Sequence, residues 1–419
     1  MKAADHIFFK PFFLYSLLAS FIIGWWAFAL HPSFSPPVFN IETPQTLTLK
    51  TSTLLQQLSP LDRESLKKAL GGDLPLILNF IEQWDHEALA LSESQIAGVE
   101  RLSPESRLQV HLLKKLLLDS SEQSLHDINC KINLKSIRDD DGCLLEIKES
   151  VFSFLPQTYL STSFLLAIAP LRQIMALPKG VRQFDELYPF EIVSKIPKNI
   201  HEIQSEHLYL NKPDLAFIAP YSHPSTLDLL RHQQIDLFSI KHIQSVHEIQ
   251  EALLKVGHAT HHILEAQLLA IFMDACFLSI DNRFRALNER YASSVYPLNF
   301  LYLSHRHHYA LPTVKGLTGQ LAARALSHCP HLRGSIPLSE TQWQIPVGQE
   351  EIVQSAPDIL MVSTYGDPQS ILTSSLHQTA AYGSKRIFYL NEVVQDSPTQ
   401  YIALAYFDIF QILAATYYV

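Results

Sequence analysis

Glu206-His-Leu-Tyr-Leu-Asn-Lys-Pro213-Asp214-Leu-Ala-Phe-Ile-Ala219 is echoed about 144 residues later by Glu350-Glu-Ile-Val-Gln-Ser-Ala-Pro357-Asp358-Ile-Leu-Met-Val362. In both, a Glu stands seven residues before a Pro-Asp pair that opens an apolar run. Proline cannot continue a helix and holds the residue before it out of the helical region, so Pro-Asp closes a short helix and aims the chain into a buried strand. A phrase with that physical task, used twice, marks equivalent positions in two similar lobes.

Working outward, the runs Val151–Leu155, Leu215–Ala219, Ile235–Ile240, Phe300–Leu303, Ile359–Ser363 and Ile387–Leu390 read as strands. Short apolar strands separated by helical segments indicate parallel α/β sheets. Between Gly257 and Pro297 there is neither Gly nor Pro. His258 to Arg290 carries an apolar stripe that includes Ile263, Leu264, Leu268, Ile271, Phe272 and Leu287, with Cys276 in the core. At 1.5 Å per residue such a helix is about 50 Å long, more than one lobe needs. Ser245-x-x-Glu248 caps the helix before it and Gly257 is expected to end that helix. His258, His261 and His262 are expected to be exposed at the start of the long helix. The fold class is α/β: an N-terminal lobe over 145–257, an interdomain helix over 258–290 and a C-terminal lobe over 291–419.

The amino-terminal third differs. From Pro11 to Asn40 there is no Asp, Glu, Lys or Arg, and Lys2 and Lys10 precede the apolar run Phe12–Leu30. With Ala27-Phe28-Ala29 at its end, 1–30 reads as a signal peptide or, with 11–30 left uncut, as a membrane anchor. Either reading exports the rest. Residues 31–47 are rich in Pro, Ser and Thr and form a linker. Over 48–140 a helical extension is expected, from Leu54, Leu55, Leu58, Leu61, Leu66 and Leu70 at helical spacing and from a helix start at Ser103-Pro-Glu-Ser106. It carries no chemistry and reads as a packing or docking element. Asp139-Asp-Asp141-Gly142 is expected to be a turn and a boundary.

Composition narrows the function. The chain has 419 residues, 47% hydrophobic and 17% charged, which excludes a disordered or disulfide-scaffold protein. A net charge of -9 without a basic run argues against nucleic acid. The four cysteines form no C-x-x-C, and pairing of Cys130 with Cys143 across a short loop stays open. No G-x-S-x-G elbow, phosphate loop, dinucleotide fingerprint or H-E-x-x-H is present, so the chain does not read as an enzyme.

The repeated Glu and Pro-Asp phrase, the long bridging helix and Ser397-Pro398 before a last helix at Ile402–Leu413 together resemble the periplasmic substrate-binding proteins of ABC importers for ferric siderophores, haem and cobalamin. The resemblance covers roughly 145–415. It implies two α/β lobes joined by one rigid helix, a shallow ligand cleft between them, and one exposed Glu on each lobe that docks on arginines of an inner-membrane permease. Those positions fall on Glu206 and Glu350, with Glu351 competing for the second. Phe154-Leu-Pro-Gln-Thr-Tyr-Leu-Ser161 sits where the first strand runs into a helix facing the cleft, placing Tyr159 there, although its bulk departs from the small residues usual at that place.

Ligands in such a fold meet loops at the carboxyl ends of strands. Three loops qualify: one with Tyr221 and His223, one with His305, Arg306, His307, His308 and Tyr309, and one with Tyr365 and Asp367. Aromatic rings suit a flat chelate or macrocycle, His, Tyr or Asp can ligate a metal, and Arg306 can meet an anion. The clustered histidines are too close in sequence to enclose a metal by themselves. The expectation is an exported, extracytoplasmic solute-binding protein without a resident cofactor, whose cargo is an iron chelate or haem. The alternatives are a cobalamin or metal-ion cargo and a membrane-anchored protein-interaction module.

Overall fold

The computed structural model describes residues 62–93, 101–148, 151–196, 198–200, 212–241, 243–291, 296–334, 336–339, 341–366 and 376–418, all within one compact unit, 42–419. The leader, the linker, Glu206 and Asp367 lie outside these residues. Helices α1 (Arg63–Leu70), α2 (Leu74–Glu93), α3 (Pro104–Asp119) and α4 (Glu122–Ile132) come first, then a hairpin of β1 (Ser136–Arg138) and β2 (Leu144–Glu146). The N-terminal lobe holds β3 (Phe154–Pro156), α5 (Tyr159–Ile168), β4 (Leu215–Ile218), α6 (Pro224–His232), β5 (Asp236–Ser239) and α7 (Val246–Ala259). After α8 (Ile263–Tyr291) come β6 (Leu298–His305), β7 (Tyr309–Pro312), α9 (Leu317–Ser327), β8 (Leu332–Arg333), β9 (Gln344–Pro346), α10 (Gln349–Gln354), β10 (Ile359–Thr364), β11 (Ile387–Asn391) and α11 (Ile402–Thr416).

All six expected strands form, with ends shifted by up to three residues. The first lobe's sheet is parallel, in the order β3-β4-β5. The second is mixed: β6, β10 and β11 run parallel, β7 and β9 antiparallel, and β8 adds alongside β6. The antiparallel part escaped the sequence reading because Tyr309–Pro312 and Gln344–Pro346 are short and carry prolines, which suit edges rather than sheet interiors.

The repeated Pro-Asp has a structural task as well as a directional one. Asp214 Oδ2 accepts the N–H groups of Phe152 and Ser153, each at 2.9 Å, and Asp358 Oδ2 accepts that of Asn299 at 2.7 Å. Each Asp at the foot of one parallel strand therefore ties down the start of its neighbour. The pairs β3–β4 and β6–β10 then begin in register.

Three expectations are corrected. The interdomain helix begins at Ile263, not His258, and Gly257 does not end the preceding helix, which runs to Ala259. A Cβ on Gly257 would come within 2.5 Å of the Ala266 Cβ, so this glycine serves the close contact of α7 with α8. The chain reverses at His261, whose φ is 57°. His261 and His262 are buried rather than exposed, and His258 is half-buried. The His261 ring is held between Asn133 Nδ2 at 2.9 Å and the Lys148 carbonyl at 2.6 Å.

The amino-terminal helices are part of the main core, not an appendage. Leu66, Leu70, Ile81, Trp84 and Leu113 join the buried cluster that includes α8 and α11. With the extension on one side and α11 on another, α8 is buried over most of its length, with Asp274, Glu289 and Arg290 left exposed. Although α8 has the length and hydropathy of a membrane span, most of it is covered by protein. The Asp139–Gly142 turn is a hairpin turn fastened to the N-terminal lobe. Asp139 Oδ2 accepts the Ser239 N–H at 3.2 Å and Asp140 Oδ1 pairs with Lys255 at 2.5 Å. No disulfide joins Cys130 to Cys143, and the Cys130 Sγ lies 3.5 Å from His126 Nε2.

Candidate functional site

Strand register assembles the C-terminal half of the site. Thr364 pairs with His305 on one side and with Asn391 on the other. The next residue of each strand, Arg306, Tyr365 and Glu392, therefore emerges at one sheet end. The Arg306 guanidinium lies 5.5 Å from the Tyr365 ring centroid. Its Nε donates to Glu392 Oε1 at 2.5 Å and its Nη2 to Asp396 Oδ2 at 3.1 Å. Burial pushes the Glu392 carboxyl up, with its Oε2 left without a hydrogen-bond partner, and Arg306 only partly offsets this. Asp396 is pushed up to about 6, by burial first, then held back by Arg306. Arg306 is thus balanced by two carboxylates, so it is not the free anion receptor expected of it.

The N-terminal lobe supplies the facing side. Thr158 caps α5, its Oγ1 accepting the Ser161 N–H at 3.1 Å, and so sets Tyr159 at the helix start three residues beyond β3. The Tyr159 ring packs edge-on against Phe184 at 5.2 Å. Tyr221 follows β4 and is 80% exposed. Burial raises the Tyr221 phenol and the nearby Tyr159 adds to the rise. Burial also raises that of Tyr365, with Glu392, Asp396 and Tyr159 adding to it.

Other candidates take different roles. His223 caps α6, its Nδ1 accepting the Ser225 N–H at 3.3 Å, a structural task. Tyr309 is buried, pairs with His305 across the β6–β7 hairpin and has its ring centroid 4.8 Å from that of His305, so it is a packing residue rather than an exposed one. Burial lowers His305, and the neighbouring histidines lower it further. His307 and His308 are exposed at the hairpin tip. Among the described residues no three His, Cys, Asp or Glu side chains are grouped to hold a metal ion. Glu350 is exposed in the first turn of α10, while Glu351 Oε2 accepts the Gly348 N–H at 2.8 Å and caps that helix. Glu392 and Asp396 were missed in the sequence, although Asn391-Glu392 directly follows the apolar strand Ile387–Leu390 just as Tyr365 follows β10.

No family model matches the sequence, and no curated protein matches it. Among solved structures, a possible iron-binding (periplasmic solute-binding) protein from Staphylococcus epidermidis ATCC 12228 superposes with a TM-score of 0.50 at 16% identity, over 62% of this chain and 98% of that one. The periplasmic heme-binding protein RhuT from Roseiflexus sp. RS-1 gives 0.47 at 16% identity, over 64% and 100%. A periplasmic solute binding protein from Veillonella parvula DSM 2008 gives 0.49 at 17%, over 65% and 84%. The chain has the two-lobed fold of the periplasmic solute-binding proteins, and the Staphylococcus superposition carries that statement.

Proposed function

We propose that the protein is an exported solute-binding component of an ABC importer that captures an iron complex, a siderophore or haem, between its lobes. The supporting observation is that Tyr159 and Tyr221 of one lobe follow β3 and β4, that Tyr365 and Arg306 of the other follow β10 and β6, and that the three tyrosines are exposed there. Exposed aromatic rings on both walls suit a large flat cargo, and phenol oxygens suit ferric iron. Since Glu392 and Asp396 already balance Arg306, the site favours a cargo of low net charge over a strongly anionic one. Cobalamin and a bare metal ion rank behind. The helix joining the lobes restricts hinge motion, and delivery follows docking of the exposed Glu350 and of Glu206 on a permease.

The test is thermal unfolding of the full chain with haemin, ferric siderophores, cobalamin, ferric iron, zinc and manganese in turn. A ligand at 100 times its dissociation constant that binds only the folded state adds about 2.7 kcal/mol. Stabilisation by one class, lost in Tyr221→Ala and Tyr365→Ala, identifies the cargo. No response to any of them overturns the reading in favour of a protein-interaction module, for which Leu108 and Leu112 stand exposed one turn apart on α3.

A further inference from the structure

Gln400, in the segment that enters the last helix, is fully buried where three parts of the chain meet. Its Nε2 donates to the Ser163 carbonyl of α5 at 2.9 Å and to the Leu70 carbonyl of α1 at 3.3 Å. One side chain of the C-terminal lobe thus holds the N-terminal lobe and the helical extension at once. Its Oε1 is buried without a donor, which costs free energy. The amide is therefore placed for its two N–H groups, which lie in one plane and fix the two carbonyls relative to each other.

Both sides of this junction lead to the cleft. Ser163 lies one turn beyond Tyr159 on α5, about 6 Å along the helix axis. Its Oγ donates to the Tyr159 carbonyl at 2.8 Å and accepts from the Tyr188 hydroxyl, and the Tyr188 ring meets that of Tyr401 edge-on at 6.0 Å. On the other side, Gln400 stands four residues after Asp396, the half-exposed partner of Arg306. The segment between them is held firmly. Thr318 Oγ1 donates to the Gln395 carbonyl at 3.0 Å, and the Ser397 and Thr399 hydroxyls bond each other at 2.7 Å. A displacement at Gln400 is thus passed to Asp396 in one lobe and to Tyr159 in the other. A second tie, from Gln320 Nε2 to the Gln244 carbonyl at 2.7 Å, also joins the lobes, as does α8. With Gln400 removed, the lobes would turn about these remaining links rather than come apart.

We propose that Gln400 is the positioning residue of the cleft: it sets how far Tyr159 and the Arg306–Asp396 pair stand apart, and the extension steadies it through Leu70. The proposal rests on the interlobe cleft of the function proposed above, but on no property of its cargo. It gives the helical extension a task in the site, although none of its residues reaches the strand-end loops.

The test measures the interlobe distance without cargo. In the full chain carrying Cys130→Ser and Cys143→Ser, spin labels are placed at Asp228→Cys and Ser384→Cys, exposed positions on the two lobes, while Cys276 and Cys329 stay buried. Double electron–electron resonance should give one narrow distance in this parent. Gln400→Met, of similar shape but without donors, should shift that distance by more than about 2 Å or split it. Gln400→Asn keeps an amide but is one methylene too short to reach both carbonyls. It should move the distance in the same direction, and it decides the matter if Gln400→Met does not fold. Leu321→Ala, a core truncation inside the C-terminal lobe, should lower stability and leave the distance where it was. An unshifted distance in the Gln400 variants, an equal shift in Leu321→Ala, or several distances in the parent overturns the proposal. Because no cargo enters the measurement, failure of the cargo reading leaves its outcome unchanged.

Discussion

Arg63, at the start of the helical extension, places its Nε 2.7 Å from Oδ1 and its Nη2 3.3 Å from Oδ2 of Asp408 in the last helix of the chain. Its Nη1 also reaches Glu186 of the N-terminal lobe at 3.5 Å. One guanidinium thus ties the extension to both lobes. Asp408 in turn accepts from Gln395 Nε2 at 3.4 Å, and Gln395 Oε1 accepts from Tyr302 in the C-terminal sheet at 3.2 Å. Arg63→Met leaves the Asp408 carboxylate buried without its cation and should cost about 3–5 kcal/mol in urea unfolding. Adding Asp408→Asn should recover much of that loss. A single-variant cost below about 1 kcal/mol would show that the extension is not held this way.

Acid stability should depend on Asp281. Burial favours its neutral form, but hydrogen bonds from His328, Arg324 and Tyr406 outweigh that and hold the carboxyl at about 2. Its folded value lies below the ordinary carboxylate value of about 3.9, so the unfolded chain binds the proton first. The contribution is complete above pH of about 4 and disappears as pH falls toward 2. Asp281→Asn should be less stable than the parent at pH 6, with the difference shrinking on approach to pH 2, as followed by circular dichroism.

Asp396 should act in the opposite sense. Its carboxyl is pushed up to about 6, so between pH of about 4 and 6 the folded chain holds the proton more tightly than the unfolded one. This group makes the protein more stable as pH drops from 7 to 5. Comparing thermal midpoints of the parent and Asp396→Asn over that range should show the parent gaining relative to the variant. Equal slopes would remove Asp396 from the titrating groups of the cleft.

Gly180 governs Tyr159 from outside the cleft. A Cβ there would fall 1.9 Å from the Tyr159 hydroxyl, so Gly180→Ala must displace the phenol. Because Tyr159 is half-exposed its ring can give way, and the expected stability cost is about 1 kcal/mol. Affinity for whichever cargo stabilises the parent should fall several-fold, as measured by titration. Unchanged affinity would place Tyr159 outside the binding surface.

Much of this arrangement was legible in the chain because it rests on local rules. Six strands appeared as short apolar runs, Ser103 and Ser245 lie at helix starts, and the doubled Pro-Asp marked corresponding strand starts in the two sheets. The candidates Tyr221, Arg306 and Tyr365 came from the rule that strand ends face ligands, and Tyr159 from the resemblance. His223 and Tyr309 met the same rule and were misplaced, because whether a side chain faces the cleft, caps a helix or turns into the core depends on neighbours distant in sequence.

By itself, then, the sequence determined the two lobes, the absence of helix breakers between them and the loops at the strand ends, since periodicity, proline and glycine act on the chain locally. The tertiary structure alone decided that the extension enters the core through Arg63 and Asp408, 345 positions apart, and that Glu392 and Asp396 balance Arg306. It also decided that His262 is buried beside Glu265. Charge pairing and burial depend on distance in space, and no spacing along the chain encodes which distant groups will meet.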